Sequence, residues 1–183
     1  SMKLGLAKAC FLNLLGDATV GKSALAQLFE TDGAHFQKNY TMVSLEKGHM
    51  WSRVGEKSLE NHHPVVGKGQ ETLGEWIQPS VLCLVYDVTK EQSFINCALW
   101  LERVRAKAQG MQIPGILVGN KTDLIGRRVV ERTRAQEWAT SQGLEYCETS
   151  VKKMENFETP FHRLARLFRQ RYLEVEEIFH SLV

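Results

Sequence analysis

The sequence predicts an α/β fold, a parallel sheet covered on both faces by helices, and three observations carry that expectation. Short segments at Ala9–Leu15 (ACFLNLL), Val81–Tyr86 (VLCLVY) and Ile113–Gly119 (IPGILVG) are apolar at nearly every position, as strands buried on both faces must be. Between them run segments whose apolar residues recur at helical spacing. Strand-like and helix-like stretches alternate along the chain, the pattern of parallel strands joined by helical crossovers.

The elements follow in order. Ala9–Leu15 is a strand that ends at Gly16, and Leu25, Leu28 and Phe29 mark one face of a helix from Lys22 to Glu30. Val81–Tyr86 is a second buried strand. Phe94, Cys97, Leu101, Val104 and Ala108 then line a helix face, followed by the strand in Ile113–Gly119. Arg134–Gln142 is a shorter helix with Trp138 facing inward, and Leu144–Cys147 is the last strand. Phe157, Phe161, Leu164, Phe168, Tyr172, Val175 and Phe179 form the apolar stripe of a long terminal helix. One stretch departs from this order. Ser44–Pro79 has neither strand alternation nor a helical stripe and is rich in glycine; a long irregular segment inside a compact domain marks a functional or abnormal region.

The 183 residues suit one domain, 1–183, with a sizeable core. Its parts are 3–44, the irregular 45–79 and 80–183. Hydrophobic content of 43% and charged content of 24% are ordinary for a globular chain. A net charge of +2 is too small to point to a nucleic-acid surface. The four cysteines, Cys10, Cys83, Cys97 and Cys147, lie far apart in apolar contexts, so they read as buried thiols in a reduced compartment. His62-His63 lacks a partner at metal-ligand spacing. No apolar run reaches membrane-span length, and a cytoplasmic protein is expected.

Gly16-Asp17-Ala18-Thr19-Val20-Gly21-Lys22-Ser23 has the form G-x-x-x-x-G-K-[ST] and lies between a strand and a helix that continues through Ala24. Its glycines let successive backbone N–H groups turn toward phosphate oxygens, and the helix N-terminus adds its positive end. Lys22 would bridge the β- and γ-phosphates, and the Ser23 hydroxyl would ligate Mg²⁺.

Asn120-Lys121-Thr122-Asp123, followed by Leu124, comes directly after a strand. A carboxylate at Asp123 accepts both N1–H and the exocyclic amine of guanine, a pair that adenine lacks. Asn120 would tie the loops together, and the Lys121 stem would lie over the base plane. Ser150-Val151-Lys152 follows the last strand, where backbone N–H groups could meet the guanine O6.

With these motifs, Asp32–Thr41 (DGAHFQKNYT), Val81–Thr89 (VLCLVYDVT), Gly119–Leu124 with Gly126-Arg127-Arg128, and Gly143–Phe161, the chain resembles the Ras superfamily of small GTPases, Rab-like branch. Within that branch it is similar to the Rab-like members of the intraflagellar transport B complex. The resemblance covers about residues 8–42 and 80–183. It implies a P-loop small-GTPase fold, a mainly parallel six-stranded sheet with helices on both faces, and GTP or GDP with Mg²⁺ as ligands. It implies that Phe36 packs edge-on against guanine, although a core phenylalanine explains that residue nearly as well. It also implies protein partners among intraflagellar transport B subunits, including a small β-sandwich subunit, and a cilium or flagellum as the place of action. Phe179–Val183 contains no cysteine for prenylation, so no direct lipid anchor is expected.

The departures from the family pattern concern its switches. Val43 stands where a Mg²⁺-ligating threonine is expected, and Thr41 or Ser44 would serve only after a register change. Gly69-Gln70-Glu71 matches the end of the D-x-x-G motif, but Val66 occupies the aspartate position. Gln70 could orient a water, yet a solvated loop residue explains it better. The strand pair expected before this motif is missing from the pattern. The expected function is therefore guanine-nucleotide binding with weak or impaired GTP hydrolysis. A conventional hydrolysing switch and a nucleotide-independent scaffold are the alternatives. A small-metabolite P-loop kinase is disfavoured by the base motif.

Overall fold

The computed structural model describes residues 10–30, 44–45, 50–54, 81–108 and 110–181. The strands are β1 (Cys10–Leu15), β2 (Ser44–Leu45), β3 (Met50–Val54), β4 (Val81–Asp87), β5 (Gly115–Asn120) and β6 (Glu145–Thr149). The helices are α1 (Lys22–Glu30), α2 (Glu91–Lys107), α3 (Arg132–Ser141) and α4 (Thr159–Ser181). One sheet has the order β2-β3-β1-β4-β5-β6. Its inner pairs, β3 with β1, β1 with β4, β4 with β5 and β5 with β6, are parallel; β2 pairs antiparallel with β3.

The period of two along β4 divides the core. Val81, Cys83 and Val85 join Leu12, Leu14, Leu25, Leu28, Phe161 and Leu164 in the layer under α1 and α4. Leu82, Leu84 and Tyr86 face the other way, into the layer of Phe94, Leu101, Ala135 and Ala139 under α2 and α3. Strands that must bury both faces are apolar throughout, which is why VLCLVY carries no alternation. Aromatic contacts join the layers' parts: Phe29 stacks on Phe161 at 4.2 Å, while Tyr86 and Trp138 both meet Phe94 edge-on. The helix stripe from Phe94 to Ala108 is buried as expected, and Phe157 packs from just before α4.

Two expectations are corrected within Ser44–Pro79. The segment contains strand structure, β2 and β3, and the expected strand pair is therefore present. β3 pairs along its length with β1, from Cys10↔Met50 to Leu14↔Val54. Its stability comes from backbone pairing with a distant strand, so the mixed sequence MWSRV carries no local signature. Cys83, Cys97 and Cys147 are free and buried; burial pushes all three thiols up, Cys147 to about 12. Among the described residues, no helix is long and apolar enough to cross a membrane.

Candidate functional site

The loop after β1 has little conformational freedom. Gly16 adopts φ +148°, and a Cβ there would sit 2.2 Å from the Val85 carbonyl oxygen. Gly21 adopts φ +103°, and its Cβ would sit 2.3 Å from Asn120 Nδ2. The loop thus packs its backbone directly on β4 and on the residue that ends β5, which only glycine permits. Thr19 holds φ +67°, uncommon for a β-branched residue. Such backbone costs roughly 1–3 kcal/mol and collects where function requires a particular shape.

Lys22, the first residue of α1, is buried, with its ammonium donating to the carbonyl oxygens of Gly16 at 2.9 Å and Asp17 at 2.6 Å. A cation thus sits inside the loop that precedes its helix. The helix begins with Leu25 N donating to Gly21 O at 2.9 Å.

The loop after β5 is tied to this one and to the loop after β6. Asn120 Nδ2 donates to Val20 O at 2.8 Å, and Thr149 Oγ1 donates to Asn120 Oδ1 at 3.1 Å. One buried amide therefore spans three loops. Ser150 Oγ donates to Asp123 Oδ1 at 2.7 Å, and Lys153 N donates to Ser150 Oγ at 3.2 Å. The Ser150 amide is committed to Glu155 O. Lys121, at φ +68°, extends its ammonium to Asp87 Oδ2 at 2.7 Å.

Asp87 was not singled out from the sequence. It ends β4 and its side chain is 1% exposed. Thr89 donates to its Oδ1 from both N at 2.9 Å and Oγ1 at 2.6 Å. Burial raises its pKa, but the hydrogen bonds from Lys121 and Thr89 outweigh it and hold the carboxyl below the ordinary value. The available signal was an acid closing an otherwise apolar strand, a place where a buried charge must have a partner.

A second polar chain braces β4 against β6. Arg128 makes a two-pronged pair with Glu148 at 2.9 and 3.0 Å, Tyr146 Oη donates to Glu148 Oε1 at 2.8 Å, and the Tyr86 and Tyr146 hydroxyls meet at 2.9 Å. Burial would raise Glu148, but Arg128 and Tyr146 hold it below its usual pKa, while the Glu148 hydrogen bond raises Arg128.

These loops surround a cavity of about 570 Å³, lined by Gly21, Ala24 and Leu28, then Asn120, Lys121, Asp123 and Leu124, then Val151, Lys152 and Met154. The volume falls in the range of small-molecule sites. The cavity opens beyond the C-terminal ends of the strands, where ligands of open parallel sheets bind. The three segments singled out from the sequence, Gly16–Ala24, Asn120–Leu124 and Ser150–Lys152, meet here. Phe36, Thr41, Val43, His62, His63, Val66 and Gln70 lie outside the described residues. Among the described residues no cluster of His, Cys, Asp and Glu side chains could hold a metal.

A nucleotide suits the groups present. The glycines let the loop pack on β4 and Asn120, Lys22 supplies buried positive charge within that loop, and Asp123 presents an anchored carboxylate at the cavity. The parallel sheet, the glycine-rich loop with its lysine and the N-K-x-D loop after β5 define a P-loop protein of the small-GTPase type. The Ras family model matches residues 68–170, more than half of the chain, and the chain belongs to the Ras family. It is 50% identical to the "Intraflagellar transport protein 27 homolog" of Bos taurus over 97% of this chain and 98% of that protein. The Homo sapiens protein of the same name is 48% identical over the same shares. The Ras-related protein Rab-1D of Dictyostelium discoideum is 29% identical over 90% of this chain and 81% of its own length.

Proposed function

We propose that this chain binds GTP and GDP with Mg²⁺ in the cavity between the P-loop and the loops after β5 and β6. The observation that carries the reading is one cavity lined by Gly21 of the P-loop, by Asn120 and Asp123, and by Val151 and Lys152, with Asn120 bonded to Val20 of the P-loop and Asp123 to Ser150. Backbone N–H groups of Gly16–Ala24 would cradle the phosphates, with Lys22 on the β- and γ-phosphates and Ser23 on Mg²⁺. Asp123 would read the N1–H and amine of guanine, and the Lys121 stem would cover the base while its ammonium rests on Asp87. Because the Ser150 amide is committed to Glu155, the contact to O6 falls to the amides of Val151 and Lys152.

Nucleotide hydrolysis by this protein is weak in our reading. Val43 and Val66 stand where an Mg²⁺-binding hydroxyl and a switch aspartate are expected, and neither side chain can hold a cation or a metal-bound water. The similarity to relatives named for intraflagellar transport supports a role in that machinery at the cilium or flagellum. Subunits of its B complex, including a small β-sandwich subunit, would then be the partners.

The test is direct. Purified protein is denatured and its supernatant analysed by ion-exchange chromatography, and close to one guanine nucleotide per chain is expected. Protein that carries no nucleotide and takes up none from added GDP with Mg²⁺ overturns the reading in favour of a nucleotide-independent scaffold.

A further inference from the structure

We propose that Asn96 and Trp100 of α2 clamp the P-loop through the Asp17 carboxylate, and that this clamp governs how long a nucleotide stays bound. The inference rests on the nucleotide reading above and adds to it two positioning residues that lie outside every nucleotide motif. Asn96 Nδ2 donates to Asp17 Oδ2 at 2.7 Å, and Trp100 Nε1 donates to Asp17 Oδ1 at 3.1 Å. Each carboxylate oxygen thus has its own donor, and the donors stand one helical turn apart on α2. A third α2 residue fixes the arrangement. Gln92 Nε2 donates to Asn96 Oδ1 at 2.9 Å, which orients the Asn96 amide with its N–H₂ toward the loop.

Asp17 is tied at both ends. Its carboxylate is held by α2, and its backbone carbonyl accepts the Lys22 ammonium at 2.6 Å. The clamp therefore bears on the cation that would meet the β- and γ-phosphates. A second bond joins the same loop to the residue just before α2, where Lys90 Nζ donates to Thr19 Oγ1 at 3.2 Å. Hydrogen bonds to a charged acceptor are stronger than neutral ones. Asn96 is buried and Trp100 half-buried, so water replaces the lost bonds poorly.

The pair can be exchanged without changing the chemistry of the contact. Asn96→Asp sets two carboxylates against each other. Asp17→Asn leaves one acceptor oxygen for two donors. In the double variant Asp17→Asn/Asn96→Asp, the new amide donates to the new carboxylate and still accepts from Trp100, while Gln92 keeps an acceptor.

The experiment is the dissociation rate of mant-GDP, chased with excess GDP in Mg²⁺ buffer, for wild type, both single variants, the double variant and Trp100→Phe. We expect Asn96→Asp to speed release about tenfold or more, Asp17→Asn and Trp100→Phe to speed it less, and the double variant to return to within about threefold of wild type. Restoration by exchange is a result that general destabilisation does not produce. Should Asn96→Asp fail to fold, the double variant and Trp100→Phe still decide the matter. Wild type that binds mant-GDP while these variants release it at the wild-type rate, or a double variant as fast as the worse single, overturns the clamp alone. Wild type that binds no mant-GDP overturns the nucleotide reading, and the clamp with it.

Discussion

Asn120 is the residue on which the site's geometry turns. Its amide accepts from Thr149, donates to Val20 and stands 2.3 Å from where a side chain on Gly21 would begin. Gly21→Ala would displace that amide from Val20 and force a methyl group onto a residue at φ +103°. The two effects together should destabilise the fold by about 2–4 kcal/mol, measured as a lower urea midpoint with an unchanged slope. A midpoint within experimental error of wild type would show that the loop yields freely. Asp87 makes a complementary point about charge. It is buried, yet its carboxyl stays below the usual pKa because Lys121 and Thr89 donate to it. In the unfolded chain its carboxyl returns to the ordinary value of about 3.9. The folded state then binds fewer protons, so the stabilisation is present above that value and is lost as pH falls through the lower folded one. Glu148 acts with the same sign. Unfolding free energy should be nearly level from about pH 7 to pH 5 and fall below about pH 4, and Asp87→Asn should flatten that fall. Parallel pH profiles for the two proteins would contradict the assignment.

At the scale of elements, the stripe on α4 is the test of how the layer under α1 is held. Phe161 is 1% exposed and stacks on Phe29 of α1. Phe161→Ala should cost about 3–5 kcal/mol through lost transfer energy and the cavity left behind, read from urea unfolding. A loss below about 1 kcal/mol would mean that the layer collapses to fill the space. These elements were legible because each writes its burial locally. β4 and β5 are apolar on both faces, and the α2 stripe from Phe94 to Ala108 repeats at helical spacing. β3 was not legible, since its pairing with β1 is a contact between distant backbone segments that MWSRV does not encode. The same reason hid Asn96, Trp100 and Asp87. A polar residue on a helix face or at a strand end looks solvated until the fold brings its partner, which lies 79 residues away in the case of Asn96 and Asp17. The P-loop and N-K-x-D segments were legible because backbone turns and fixed donors demand particular residue types at fixed spacing.

For the whole molecule, the switch positions bear on how the two nucleotides are told apart. A ligand shifts a conformational equilibrium only by its difference in affinity for the two states. On the proposed reading, valine at positions 43 and 66 would leave the γ-phosphate without two anchors, and binding would rest on the P-loop and base loops, which GDP fills as fully as GTP. GDP and GTP affinities should then lie within about tenfold of each other, and a non-hydrolysable GTP analogue should protect residues 44–79 from hydrogen exchange no more than GDP does. Selective protection by the analogue would restore a conventional switch.

The central claim, that the cavity reads guanine through Asp123, is tested most directly by calorimetry of wild type and Asp123→Asn with GDP, ADP and XDP. Wild type should prefer GDP over ADP by about a hundredfold or more, because adenine offers the Asp123 carboxylate no N–H pair to add to its bond from Ser150. In Asp123→Asn the amide offers a donor to the extra carbonyl of xanthine, and the preference should pass from GDP to XDP. Wild type that binds ADP as tightly as GDP, or a variant whose preference stays with GDP, would contradict the account.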